Sequence, residues 1–296
     1  MTSGTPGEIR EVTPAVLRSW SLPTPAEGKE SRGHVVVVAG ASRTPGAAIL
    51  AAEASLRAGA GKLTVATAAS VAAHVAAVVP EALVEPLPET SDGHLGGAAA
   101  DVVAGLADQA DALLVGTGLL DDDATLTLMD ELMPRITGPV VIDATASAYL
   151  GKRPEGTRHL AERAVLTVNP KELASVAGCQ VEDVESRPVE IASTVARSCR
   201  VVVLLGGTEK HVVAPGGPVW RYAGGSPGLG VSGSGDVQAG VVAGLLARGA
   251  EPEQAATWGA FVHARVGERL AEETGVLGHL AREQPGHVPL VLRELA

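Results

Sequence analysis

The stretch HVVVVAGASRTPGAAILAAEASLRAGAGKLTVAT, residues 34–67, decides the fold of this chain. Its first part, HVVVVAG, is a continuous β-branched run of the kind found in strands buried on both faces of a parallel sheet. A break rich in small residues and proline follows at 40–46, and a helix is predicted from about Ala47 to Ala58. The segment GKLTVAT then predicts a second strand. A strand, a helix and a strand in this order form a βαβ unit, which builds parallel sheets.

The alternation of strands and helices continues through the rest of the chain. Strands are predicted at 112–116, 139–143, 164–168 and 201–205, and helices in TLTLMDELMPRI, from near Lys171, at 188–198, at 237–248 and at about 253–273. Two short strands, KHVVA and PVWRY, are joined by Pro215, Gly216 and Gly217, which is a hairpin signal. We therefore predict an α/β fold: a mostly parallel sheet flanked by helices on both faces, with a small late β-hairpin.

The predicted organisation is an N-terminal arm at residues 1–30 and a single domain at 31–296, because no repeat or low-complexity linker divides the later part. The helices at 237–248 and 253–273 are expected to be the final two elements. This arrangement matters for function because ligands of such sheets bind outside the carboxyl ends of the strands.

Composition and charge argue against several classes of function. The net charge of −11 disfavours nucleic acid and anionic membranes as partners, since both require a positive surface. No apolar run is long enough to span a bilayer, and the N-terminus lacks a secretory pattern. Neither Cys179 nor Cys199 has metal-ligand spacing, so both are expected to be reduced thiols. The prediction is a cytoplasmic protein in which any phosphate site is a local feature.

The candidate phosphate site is the stretch GLGVSGSGDVQAG at 228–240, which precedes an apolar helix. Gly233, Ser234 and Gly235 would place free backbone N–H groups of a helix N-terminus beside glycines that let a ligand approach, which is an anion hole. Asp236 would repel a phosphate there unless it removes a proton from an attacking hydroxyl. The alternative is an Asp N-cap after a flexible loop, but it does not explain why the glycines extend so far upstream.

Polar residues follow the strand at 164–168, on the expected ligand edge. Asn169 and Glu172 have the spacing to order waters around a phosphate-bound Mg²⁺. Equally, Asn169-Pro170-Lys171-Glu172 is a helix N-terminal signal, with Asn as the cap and Pro at the first helical position. Both interpretations remain open from the sequence.

Three other strand ends carry candidate residues with equally open interpretations. Asp143 would hold substrate or metal, or cap the next turn. Gly116–Gly118 would allow flat contact with a ligand, or form an ordinary strand-to-helix turn. Gly206–Glu209 would accommodate an adenine or ribose, or form a plain loop between strands.

Taken in order, these segments resemble the ADP/ATP-dependent NAD(P)H-hydrate dehydratases of the ribokinase-like superfamily. The similar segments are VVVVAGASRTPGAAILAAEASLRAGAGKLTVAT, ADALLVGTGL, VVIDA, AVLTVNPKELA, GSPGLGVSGSGDVQAGVVAGLLARG and ATWGAFVHARVGERLA. The resemblance implies a metabolite-repair enzyme. Such enzymes phosphorylate the hydroxyl that water addition places on NADH or NADPH, using ADP or ATP, and phosphate then leaves to restore the reduced cofactor.

The resemblance also implies roles for individual residues. Asp236 would be the general base; Mg²⁺ would be the cofactor, with Glu172 and Asn169 acting on it through water. The substrate-binding residues implied are Ala47, Gly116, Gly118, Asn169 and Asp236. The nucleotide-binding residues implied are Leu205, Gly206, Gly207, Thr208, Glu209 and Gly235. A homo-oligomer, as a tetramer, is the implied assembly.

Three positions depart from the family's pattern. Leu205 stands where the family usually has Lys, Asn169 stands where it often has His, and Thr145 stands where it commonly has a second Asp. Two other functions therefore compete with dehydration: a ribokinase-like kinase acting on a vitamin precursor, and a nucleotide-binding sensor that has lost phosphoryl transfer.

Overall fold

A ten-stranded sheet forms the middle layer of the computed structural model, which describes residues 7–24 and 27–295. The strands of this described part are β1 Ile9–Glu11, β2 His34–Val38, β3 Lys62–Ala68, β4 Leu83–Leu87, β5 Ala112–Val115, β6 Val140–Asp143, β7 Ala164–Val168, β8 Val202–Leu205, β9 Lys210–Val213 and β10 Val219–Tyr222. Their spatial order is β1-β10-β9-β8-β7-β6-β5-β2-β3-β4. All neighbours pair in parallel except β8–β9 and β9–β10, which are antiparallel.

Helices cover both faces of this sheet. They are α1 Pro14–Ser19, α2 Pro45–Arg57, α3 Ala69–Val78, α4 Ala100–Ala107, α5 Asp122–Leu132, α6 Ala148–Lys152, α7 Pro170–Ala177, α8 Val181–Ser186, α9 Pro188–Cys199, α10 Ser234–Ala247, α11 Pro252–Thr274 and α12 Gln284–Leu295. One hydrophobic core lies between the sheet and α2, α10, α11 and α12, and a second lies under α4, α5, α7 and α9. The predicted α/β class, the helices on both faces and the late hairpin β9–β10 are therefore confirmed.

The βαβ unit at the start of the argument has the predicted form. β2 pairs in parallel with β3, and β5 lies on its other side. Val35, Val36, Val37 and Val38 are fully buried, as a strand covered on both faces requires. Helix α2 begins at Pro45 because a proline at the first helical position loses no hydrogen bond.

Helix α10 lies against α2 at very short distance. A Cβ atom at Gly240 would lie 2.9 Å from both Ala51 Cα and Ala54 Cβ and would overlap the Ala51 carbonyl oxygen. Ser55 Oγ donates a hydrogen bond of 3.0 Å to the Gly240 carbonyl oxygen across this contact. The absence of a side chain at Gly240 thus determines how deeply α10 sits, and with it the position of the helix N-terminus.

One sequence prediction about the C-terminus is wrong. The helix at 253–273 is not the last element, because α12 follows it. The sequence does not predict α12 because the segment contains two prolines, Pro285 and Pro289, and proline normally opposes a helix interior. Val288, Val291 and Leu295 nevertheless lie on one face of α12 and are buried against the first core. Tertiary packing therefore stabilises a helix that local propensity disfavours.

The predicted N-terminal arm contributes to the sheet in its described part. β1 pairs in parallel with β10, and Trp20 stacks on Trp220 with ring centroids 5.3 Å apart. Residues 1–6 and 25–26 of the predicted arm lie outside the described residues. The segment 69–107, to which no element was assigned from the sequence, forms α3, β4 and α4.

Within residues 7–24 and 27–295, no helix combines the length and apolar character needed to cross a membrane.

Candidate active site

A cavity of about 770 Å³ opens at the carboxyl ends of β6, β7 and β8. Asp143 ends β6, Asn169 follows β7 and Gly206 follows β8, and all three line it. The N-terminus of α10 also lines the cavity, through Gly233, Ser234, Gly235 and Asp236. The cavity thus lies where the parallel topology brings ligand-binding loops together.

The N-terminus of α10 has the geometry of an anion site. Gly233, immediately before the helix, adopts φ = +91°, and a Cβ there would meet Leu50 Cδ1 at 2.5 Å. Glycine therefore suits this position in both conformation and volume. The helical hydrogen-bond ladder begins with Val237 N, which donates to Gly233 O at 3.2 Å. Among the described residues, the amides of Gly235 and Asp236 donate to no backbone carbonyl, so they are free to bind an anion in the cavity.

Asp236 is the third residue of α10, and its half-buried side chain faces the cavity. The N-cap position belongs to Gly233, so the alternative interpretation of Asp236 as an N-cap is wrong. Burial, reinforced by the charge of Glu172, raises the pKa of Asp236 to about 6. A carboxylate with this pKa is ionised at neutral pH and still basic enough to accept a proton from a hydroxyl.

Asn169 and Glu172 form a capping box at the start of α7. Asn169 Oδ1 accepts hydrogen bonds from Lys171 N at 2.9 Å and Glu172 N at 3.0 Å, while Asn169 N donates to Glu172 Oε2 at 2.9 Å. Both residues also line the cavity. The helix-cap interpretation is therefore confirmed, and it leaves the second carboxylate oxygen of Glu172 and the Asn169 amide nitrogen outside the box.

Three carboxyl groups approach this cavity from three elements: Asp143 from β6, Glu172 from α7 and Asp236 from α10. Asp143 is buried and accepts a 2.5 Å hydrogen bond from Thr167 Oγ1. Burial, together with the charges of Glu172 and Asp236, raises the pKa of Asp143 well above its ordinary value. Burial also raises the pKa of Glu172, against the hydrogen bonds from Asn169. These carboxyl groups therefore hold a proton more tightly than ordinary aspartate and glutamate side chains, which suits acid–base chemistry on a bound substrate.

Of the residues that the resemblance assigns to nucleotide binding, some line the cavity and others do not. Gly206, Gly207 and Thr208 line the cavity beside Gly235. Leu205 does not line it, because it ends β8 with 2% exposure and its side chain belongs to the second core. Glu209 also lies outside the lining, and its carboxylate is 3.7 Å from Arg221 Nη1.

The predicted substrate residues Ala47, Gly116 and Gly118 lie together, beside the cavity and outside its lining. A Cβ at Gly118 would lie 2.5 Å from Ala47 Cβ, and Thr44 Oγ1 donates to Gly118 O at 2.7 Å. A Cβ at Gly116 would overlap the Asp143 carbonyl oxygen, so this cluster adjoins the cavity wall. The glycines therefore allow close packing of neighbouring loops, whatever ligand they contact.

Sequence reasoning missed five polar residues of the cavity: Thr167, Lys210, Ser226, Gln238 and His263. Lys210 begins β9, while Gln238 and His263 lie within α10 and α11 and are buried. His263 Nε2 lies 2.9 Å from Ser234 Oγ. The available signal was a single polar residue inside an apolar helix, as in VQAGVVAGLL, and its location on a cavity depends on long-range packing.

Comparison with known proteins gives consistent matches. The family model described as NAD(P)H-hydrate dehydratase matches residues 35–285. A curated ADP-dependent (S)-NAD(P)H-hydrate dehydratase of Xanthomonas campestris is 43% identical over 289 residues, covering 97% of this chain and 97% of that protein. The chain spans about half the length of several bifunctional NAD(P)H-hydrate repair enzymes, for example 54% of the one from Moorella thermoacetica.

Two solved structures match over nearly the whole chain. A Bacillus subtilis ADP/ATP-dependent NAD(P)H-hydrate dehydratase, co-crystallised with ATP/Mg²⁺, matches with a TM-score of 0.80 and 25% identity, covering 99% of each chain. A ribokinase-like superfamily protein of Enterococcus faecalis matches with a TM-score of 0.81 and 22% identity, covering 97% of this chain and 96% of that one. The latter shows the ribokinase-like fold.

Proposed function

The chain belongs to the NAD(P)H-hydrate dehydratase family, and we propose that it dehydrates the hydrated form of NADH or NADPH with ADP as the phosphoryl donor. The observation that carries this proposal is the position of Asp236 beside the free amides of Gly235 and Asp236 itself, within one cavity. A base and an anion site that adjoin each other in one cavity suit phosphoryl transfer to a hydroxyl. ADP is preferred because the Xanthomonas relative carries that donor in its name.

In the first step, the added hydroxyl of the hydrate loses its proton to the Asp236 carboxylate. The hydroxyl oxygen attacks the terminal phosphorus of ADP, and the bond from that phosphorus to the bridging oxygen breaks to release AMP. The amides at the α10 N-terminus stabilise negative charge on the transferred phosphoryl group. Positioning and electrostatics supply most of the catalysis of such a step.

In the second step, the phosphate ester leaves the nicotinamide ring. The carbon–oxygen bond breaks, its electron pair goes to phosphate, and the ring nitrogen lone pair compensates at the ring carbon. Loss of a proton from the neighbouring carbon then restores the double bond of NADH or NADPH. This elimination distinguishes the proposed lyase from a kinase that stops at a phosphorylated product.

The residues present fit a magnesium ion that arrives with the nucleotide. Within the described residues no cluster of three His, Cys, Asp or Glu side chains is arranged to hold a metal. Mg²⁺ commonly keeps several waters and binds through one or two carboxylates and substrate phosphates. Glu172, with one carboxylate oxygen outside its capping box, and Asn169 would hold such an ion through water. When bound, it would neutralise charge on the donor phosphates.

The remaining assignments extend the same proposal. Ala47 and Gly118, with Gly116, would contact the hydrated dinucleotide at the border of the cavity, and the loop at 206–209 would contact the adenosine part of the donor. The cytoplasmic location and the tetrameric assembly stay predictions of the sequence.

The deciding experiment is a donor-by-substrate matrix with the purified protein. NADH hydrate and NADPH hydrate are each incubated with Mg²⁺ and either ADP or ATP, and the recovery of absorbance at the reduced-nicotinamide band is followed. We expect recovery with at least one hydrate and larger rates with ADP. No recovery in any combination, accompanied by phosphorylation of another alcohol, would instead identify a small-molecule kinase.

The pH dependence of the reaction follows from the pKa of Asp236. A base must be deprotonated to act, and the pKa of this group is raised to about 6. We therefore expect kcat/KM to rise roughly tenfold per pH unit below about 6 and to level off above it. The profile is measured between pH 4.5 and 7.5, with ADP binding measured over the same range to separate catalysis from donor affinity. An acid limb centred near the ordinary aspartate pKa would contradict the role given to burial.

A further inference from the structure

Lys210 is a buried lysine for which the described residues provide no charge partner. It is 5% exposed and lines the cavity, and no salt bridge or side-chain hydrogen bond joins its ammonium to another described residue. Burial alone lowers its pKa to about 8, with no carboxylate acting in the opposite direction. An ammonium that is largely shielded from bulk water and has no counter-charge among the described residues costs free energy, so this position in the cavity calls for an anionic ligand.

The position of Lys210 in the sheet directs it to the nucleotide loop. Leu205 pairs with His211 in the antiparallel β8–β9 ladder, and the next step of this register places Lys210 opposite Gly206. On its other side Lys210 pairs with Tyr222 of β10. Lys210 therefore lies next to the start of the loop 206–208, and both line the cavity.

Other residues with unpartnered donors line the same cavity. Gln238 is 7% exposed, lines the cavity and lies beside Gly206, and its Nε2 has no hydrogen-bond partner among the described residues. The amides of Gly235 and Asp236 are equally free of backbone acceptors in the described part of the chain. The lining of one cavity thus includes three kinds of N–H donor without an acceptor among the described residues, which is the complement of a phosphate group.

None of the other titratable groups described near Lys210 neutralises the charge of its ammonium. His263 packs from α11 on the same side, and burial together with the Lys210 charge lowers the pKa of His263 well below its ordinary value, so it stays neutral. Glu209, the adjacent carboxylate, is directed to Arg221 and His211 instead. Asp143, Glu172 and Asp236 line the same cavity but none lies within 4.0 Å of the Lys210 ammonium. Lys210 is also the single lysine, and there is no arginine, among the described residues that line the cavity.

We infer that Lys210 is a donor-binding residue whose ammonium holds the phosphates of a nucleoside diphosphate, together with Gln238 and the amides at the start of α10. This inference rests on the proposed function for the identity of the donor. It also accounts for an anionic nucleotide binding to a cavity with three carboxyl groups, because the ammonium and the N–H donors would bind the phosphates. The carboxyl groups are left for the hydroxyl that reacts and for Mg²⁺ held through water.

Calorimetric titration of ADP into the protein, without any hydrate present, tests this inference. Lys210→Met keeps most of the length of the side chain and removes the charge, and Lys152→Met, at an exposed lysine outside the cavity, is the matched control. We expect Lys210→Met to weaken ADP binding by on the order of 10- to 100-fold, the range for a hydrogen bond to a charged group. Adenosine, which lacks phosphates, should bind the variant and the wild type alike, and Lys152→Met should bind ADP normally.

Thermal unfolding separates ligand binding from a structural role. Since Met replaces a buried charge that has no partner in the described part of the chain, the ligand-free Lys210→Met protein should unfold at the same temperature as wild type or higher. The increase in Tm produced by saturating ADP in wild type should shrink in the variant. A variant that is destabilised without ADP and keeps the full ADP-induced increase would overturn the inference.

A measurement on the wild type provides a second test that needs no variant. ADP has no group that titrates between pH 8 and 10, so its affinity should fall over this range as Lys210 loses its proton, and a flat profile would count against the inference. Failure of the proposed function is distinguishable from failure here. Charge-dependent ADP binding without hydrate turnover would reject dehydration and retain Lys210, whereas turnover with unchanged ADP affinity in Lys210→Met would do the reverse.

Discussion

Asp236→Asn is expected to lower kcat by about 10²–10⁴-fold, the usual contribution of a general base, while ADP binding stays measurable. Asn is nearly isosteric with Asp but does not accept the proton of the hydroxyl. The amides of Gly235 and residue 236 remain in place, so the anion site persists. Rates are measured by recovery of the reduced-nicotinamide absorbance, and ADP affinity by calorimetry.

The same substitution should stabilise the folded protein at neutral pH. The pKa of Asp236 is raised in the fold, so the folded state binds the proton more tightly than the unfolded chain. Ionisation as the pH rises through about 6 therefore lowers the free energy of unfolding, and Asn removes that cost. A higher Tm together with lost turnover is the combination expected of a site residue.

Asp123→Asn is the matched control for Asp236→Asn. Asp123 also lies in the first turn of a helix, α5, but it is exposed and outside the cavity. Its substitution should leave kcat unchanged. If Asp236→Asn kept most of the wild-type activity, the assignment of the general base would be wrong.

Gly240→Val is expected to lower the free energy of unfolding by about 3 kcal/mol or more, the upper range for overpacking a core. Even a Cβ at this position overlaps the Ala51 carbonyl oxygen, so α10 and α2 must separate. Separation also breaks the hydrogen bond from Ser55 to Gly240 O. The measurement is urea denaturation at neutral pH, read as a lower midpoint.

Gly105→Ala distinguishes overpacking from a general effect of losing glycine. Gly105 lies within α4, and a Cβ there would meet no atom within 4 Å. Ala has the higher helix propensity, so this variant should be stabilised by roughly 0.5–1 kcal/mol. Equal destabilisation in both variants would contradict the packing explanation for Gly240.

Much of the fold and part of the site follow from local sequence. The β-branched run at 35–38 predicts a doubly covered strand, and that strand lies inside the parallel region, between β5 and β3. The pattern SGSGD predicts glycines, free amides and a carboxylate at a helix start, and α10 begins there. Both signals are local, because hydrophobic periodicity and turn chemistry act over a few residues.

The sequence does not predict helix α12 or the presence of Lys210 and Gln238 in the cavity. Pro289 lies inside a helix whose stability comes from the burial of Val288 and Val291, which no local rule reports. The sequence predicts Lys210 only as the first residue of a hairpin strand, and Gln238 only as part of an apolar helix. Their shared cavity exists only because β9 folds back on β8 while α10 packs on the same face.

The sequence by itself determined an α/β chain with a parallel sheet, a glycine-rich helix start and one acid beside it. Backbone conformation and burial preference are encoded over short segments, which is why these features can be read directly. The tertiary structure alone decided which charges share the cavity: it raised the pKa of Asp236 by burying it near Glu172, and it left Lys210 buried without a charge partner among residues 7–24 and 27–295. Burial and charge proximity are properties of residues distant in the chain, so only the packed fold determines them.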